Sequence, residues 1–144
     1  MTLLRGAAAG TLATGAMSAV MLGLGQRMGE QPPDAIVQRA ALAAGKHPSE
    51  PQADLLATLA HVGFGASVGA AYALLPRRMP PVARGVATAL AVYVVSYEGW
   101  VPALGILPPV TQDRPQRQGV MLLAHVVYGA VLGIAEEELH DRWT

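Results

Sequence analysis

Polar and apolar positions in this chain are sorted into long blocks. No charge falls between Arg5 and Arg27 or between Asp54 and Arg77, only Glu98 interrupts the stretch from Arg84 to Asp113, and a shorter block runs from Arg117 to Glu136. Crossing the ~30 Å hydrocarbon core of a bilayer takes ~20 residues of helix. The blocks therefore predict four spans, at about 4–26, 55–75, 82–104 and 119–135. The last is the shortest, and crosses only if it stands upright or its flanking charges reach the interface.

Punctuation between the blocks supports the same division. Pro76, Pro80 and Pro81 cannot continue a helix, so spans two and three form a tight hairpin. The first loop begins Pro32-Pro33 and reaches Gly45, the arrangement expected of a short helix over about residues 33–45. Its Ile36, Val37, Ala40, Ala41 and Ala44 share one face, so this helix is expected in the membrane interface or as a cap on the bundle.

Two spans carry one stripe. His61, Gly65 and Gly69 recur as His125, Gly129 and Gly133 at an offset of 64 residues, with Leu59, Ala60 and Val62 matching Leu123, Ala124 and Val126. Duplication of a helical hairpin accounts for this, and two-span units insert in the same direction, related by a pseudo-twofold axis along the membrane normal. The predicted fold is an all-α transmembrane bundle of four helices in one domain.

Composition agrees with a membrane class: 52% of residues are apolar and 14% charged, against roughly 25% charged in soluble proteins. There is no cysteine, which removes disulfide and thiolate chemistry. Balanced charge and few aromatics leave no footprint for nucleic acid. The apolar start resembles a signal peptide but continues without a small-residue cleavage site, and is read as a retained first helix. Lys and Arg divide five against five between the two sides. The short middle loop holds Arg77, Arg78 and Arg84 without an acidic partner, which places both termini in the cytoplasm by the positive-inside rule.

Four segments together, Gly6 to Thr14, His61 to Gly69, Glu98 to Pro109 and Ala124 to Gly129, resemble the YagU-type family of bacterial inner-membrane proteins, a domain of unknown function. The resemblance touches all four spans. It implies a four-helix inner-membrane protein with cytoplasmic ends and no known activity. The acidic ending Glu136 to Arg142 departs from a strongly basic tail.

Glycines four apart let helix backbones approach closely in lipid, so Gly65 and Gly69, Gly129 and Gly133, and the row Gly6, Gly10, Thr14 and Ser18 are candidate packing faces. The first two carry their histidines inward. At ~1.5 Å of rise per residue, His61 and His125 both lie ~10 to 12 Å inside one boundary, and Glu98 falls in the same half, beside Tyr97, Trp100 and the helix-distorting Pro102. Buried ionisable groups are costly in a bilayer and must be paired, neutral or hydrated.

Three readings of this layer stand open. His61 and His125 form structural hydrogen bonds across helices to Glu98, Tyr97, Tyr128 or a freed carbonyl; or they form a proton or small-solute pathway with Glu98; or they are the axial ligands of a b-type haem. A lone metal ion is not expected from two imidazoles and one carboxylate. Glu136, Glu137, Glu138 and Asp141 read as a solvated helix end, and Asp113, Arg114 and Arg117 as loop charges. The expected function is that of a small polytopic inner-membrane protein with no catalytic activity and no required cofactor. Its expected partners are the lipid bilayer and further copies of itself or a larger membrane complex.

Overall fold

The computed structural model describes residues 1–24 and 32–142; the end of the first span at Gln26, and Arg27 in the charge count, lie outside the described residues. The structure is 82% helix. Helix α1 spans Thr2–Leu24, α2 Pro32–Ala43, α3 Glu50–Tyr72, α4 Pro81–Val94, α5 Val101–Ala103 and α6 Pro115–Asp141. Three of them, α1, α3 and α6, are long and apolar enough to cross a membrane.

Helix ends follow local chemistry. Gly45, with φ +67°, ends α2 in a Schellman turn, in which Lys46 N–H donates to the Ala41 carbonyl and Gly45 N–H to that of Leu42. The side chain of Gln52 accepts from Ser49 N–H at the start of α3, which satisfies one of the donors a helix start leaves open.

The third expected span is not one helix. Between α4 and α5 the backbone winds into a π-helical turn, Val95–Trp100, and Gly99 leaves helical geometry at φ −102° and ψ −106°. Pro102 supplies the cause: it has no N–H for the carbonyl of Glu98, and its ring crowds that carbonyl. The fourth expected span departs in the opposite sense. Drawn as the shortest, it is the 27-residue α6, because Arg117 and Glu136 are buried inside the bundle and do not end the helix.

Packing runs in the order α3, α1, α6, α4. Helices α1 and α3 meet through glycines: a Cβ on Gly10 would collide with the Gly65 carbonyl oxygen, and one on Gly6 with that of Gly69. Helices α4 and α6 meet in the same way, Gly85 against Gly129 and Pro81 against Gly133. Helices α3 and α4 are joined by a short turn and tied there, where Tyr72 O–H donates to the Pro81 carbonyl at 3.1 Å. Away from that tie they scarcely touch.

The core is built from alanines, tyrosines and methionines with one leucine: Ala9, Ala13, Ala89 and Ala124, Tyr72 and Tyr128, Met17, Met21 and Met121, and Leu132 are buried. Large apolar side chains lie outside instead: Leu4, Leu12, Leu22, Leu55, Leu59 and Val95 are each at least 60% exposed. Such a distribution suits surroundings of hydrocarbon, where close approach of backbones and not exclusion of apolar surface holds helices together.

Candidate functional site

Where α3 and α4 part, a cavity of about 270 Å³ opens into the bundle. Its inner wall is made by α1 and α6, through Thr14, Met17, Met121, His125 and Tyr128. Helix α2 reaches it with Pro33 and Ile36, and packs through Ala35 on Val101 and Leu107. The mouth lies between Ala60 and Phe64 on α3 and Val92, Ser96 and Trp100 on the opposite side; Ala60, Phe64 and Trp100 line the cavity while remaining exposed on the outer surface. The π-helical turn thus contributes Ser96, Tyr97 and Trp100 to the wall, in keeping with the tendency of such turns to occur at functional positions.

Both histidines line this cavity. His125 Nδ1 lies 2.8 Å from the Met121 carbonyl oxygen, one turn back on its own helix. A carbonyl only accepts, so Nδ1 carries the proton there. The ring also meets Tyr93 edge-on, with centroids 5.1 Å apart. His61 Nε2 is buried and has no hydrogen-bond partner among the described residues. Its ring also borders a second cavity of about 210 Å³, under α2, with Ser18, Asp34 and Thr58. No group of three or more potential metal ligands occurs among the described residues.

The remaining members of the expected layer go elsewhere. Glu98 is exposed, and its carboxylate accepts from Thr111 N–H at 3.3 Å; distortion at Gly99 turns it toward the loop and not toward either imidazole. Tyr97 O–H donates to Asp113. Tyr128 O–H donates to the Gly65 carbonyl at 2.7 Å, so it crosses from α6 to α3 without engaging a histidine. The structural bonds of this layer therefore run from tyrosine to backbone or carboxylate, and not between histidines and Glu98.

Two buried ionic clusters flank the cavity. At the end holding the α3–α4 turn, Glu136 is fully buried and faces three arginines: Arg77 at 2.7 Å, Arg84 at 3.0 Å and Arg5 at 3.4 Å. Arg84 also lies over the Tyr72 ring at 4.3 Å, and Arg77 reaches Glu137 at 2.7 Å. Glu136 is thus no solvated helix end. At the other end buried Asp113 accepts from Tyr97, from Arg114 N–H at 2.7 Å and from Arg117 at 3.2 Å, so Arg117 lies on α6 and not in the loop, and Asp113, though in the loop, is buried and paired. Both clusters escaped the sequence reading although the signal was present: Arg117, Met121, His125, Gly129, Leu132 and Glu136 continue one helical face.

A family model described as a family of unknown function, DUF6789, matches residues 1–144, the whole chain. No curated protein and no solved structure matches. Nothing in these comparisons links the chain to the YagU-type family.

Proposed function

Because the chain belongs to the DUF6789 family of unknown function, we propose a role from its geometry: it is a four-span membrane protein that holds a lipophilic small molecule within the bilayer, as a binding or accessory subunit with no reaction of its own. Besides α1, α3 and α6, the remaining span is the run from Pro81 to Ala103, distorted at Gly99. Arg117 and Glu136 stand 19 residues apart on α6, ~28 Å of rise, which matches the thickness of the hydrocarbon core. The two ionic clusters then lie at the two interfaces and the cavity between them. In this reading the short loop with Arg77 and Arg78 faces the cytoplasm of a bacterial cell, with both termini.

Repetition of one glycine contact, Gly10 against Gly65 and Gly85 against Gly129, supports descent from two like hairpins. A pseudo-twofold axis would match the α1–α6 packing with an equal α3–α4 packing. That pair is open, and the cavity has its mouth there.

The observation that carries the proposal is this mouth: an apolar cavity containing two imidazoles, bordered by exposed Ala60, Phe64 and Trp100 at a depth where the surroundings are acyl chains. Val92 lines the cavity from α4, so Val92→Trp should fill it. Protein purified in mild detergent, extracted with organic solvent and analysed by mass spectrometry should yield a lipophile retained by the wild type and lost from Val92→Trp. Equal extracts from both, matching the bulk membrane lipids, would contradict the proposal.

A further inference from the structure

We infer that the occupant of this cavity carries a hydroxyl group: it is a lipophilic alcohol or phenol, drawn sideways from the bilayer between α3 and α4. The inference rests on the binding role proposed above and adds the chemistry of the ligand.

The polar groups of the wall determine it. Thr14 O–H donates to the Gly10 carbonyl at 2.8 Å, Tyr128 O–H to that of Gly65 at 2.7 Å, and Tyr97 O–H to Asp113. Trp100 Nε1–H donates to Ser96 Oγ at 3.2 Å. These four donors are committed within the protein, while the hydroxyls of Ser96 and Tyr93, which also line the cavity, can each donate or accept. The imidazoles are not committed in this way. With its Nδ1 proton on the Met121 carbonyl, a neutral His125 keeps only the lone pair of Nε2, an acceptor. His61 Nε2 is buried and, among the described residues, unpartnered. Each buried polar atom left unmatched costs ~1–3 kcal/mol, so a ligand that supplies the matching groups is favoured over one that does not.

A ketone or an ether only accepts; it can meet the Ser96 or Tyr93 hydroxyl but leaves the lone pair of His125 Nε2 without a donor. A hydroxyl donates to His125 Nε2, and its lone pairs accept from His61 Nε2 in the tautomer that carries the ring proton there. A charged group is disfavoured, because among the described residues no arginine or lysine lines the cavity and the walls are mostly alkyl and aromatic. The rest of the molecule is therefore apolar, and exits through the mouth beside Phe64 and Trp100.

The test compares 4-decylphenol with its methyl ether, 4-decylanisole, each brominated on the ring, by quenching of Trp100 fluorescence. Trp143→Phe leaves Trp100 as the only tryptophan of the chain, and the protein is held in nanodiscs. The phenol should bind on the order of tenfold more tightly than the ether, the effect of one matched polar group, and His125→Phe should abolish that preference while both compounds still quench. Equal saturable binding of phenol and ether to the unaltered cavity would overturn the hydroxyl inference and leave the binding role standing. Non-saturable quenching by both would overturn the two together. A Soret band in the purified protein, lost in His61→Phe and in His125→Phe, would replace the alcohol with haem. The comparison of phenol with ether in the unaltered cavity stands even if His125→Phe fails to fold.

Discussion

Glu136 has no exposed surface, and three arginines from α1, the α3–α4 turn and α4 converge on it. An isolated buried carboxylate is costly, and removing one partner of a buried ionic set strands the others. Glu136→Gln should therefore lower stability by about 3 kcal/mol or more, measured by unfolding in mixed detergent. Glu138→Gln should change nothing measurable, since among the described residues the Glu138 carboxylate pairs only with Arg142, at 3.6 Å, and both are well exposed. The run Glu136-Glu137-Glu138 looks uniform in the sequence, yet only its first member follows Gly129, Leu132 and Gly133 at helical spacing. Extending the histidine stripe by one turn after Gly133 and by two turns before His125 would have picked out both Glu136 and Arg117. Glu98 shows the opposite limit: its position on an ideal helix says nothing once the backbone at Gly99 leaves that helix.

At the scale of elements, contact between α1 and α3 and between α4 and α6 depends on the absence of side chains at a few positions. Gly10→Ala and Gly85→Ala each place a methyl group against a carbonyl oxygen of the facing helix, where neither backbone can yield without parting the pair. Both should lower the melting temperature measured by circular dichroism. Gly15→Ala and Gly63→Ala meet nothing within 4 Å, and should leave it unchanged or slightly raised through helix propensity. Glycine spacing made candidate faces visible in the sequence, but not which face meets which. The short helix near Pro32–Ala43 was legible because proline, an apolar face and Gly45 all point to it. The length of α6 was not, because a charge in a sequence reads as a boundary until its buried partner is known.

For the whole molecule, the all-helical fold and its apolar helices followed from the blocks of uncharged sequence. The cavity did not. It arises because α3 and α4 are tied at their turn by Tyr72 and Pro81 and diverge beyond it, a feature of helix angles that no periodicity in the chain encodes. A lipophile-binding role requires that opening to be filled from the bilayer. Its most direct test is photolabelling in nanodiscs with an alkyl diazirine about as long as an acyl chain, followed by peptide mapping. Saturable labelling of the segments around Phe64, Tyr93 and His125, suppressed by excess unlabelled 4-decylphenol and by Val92→Trp, is the result predicted. Labelling confined to outward-facing residues such as Leu59 and Val95, rising linearly with reagent and indifferent to competitor, would contradict it.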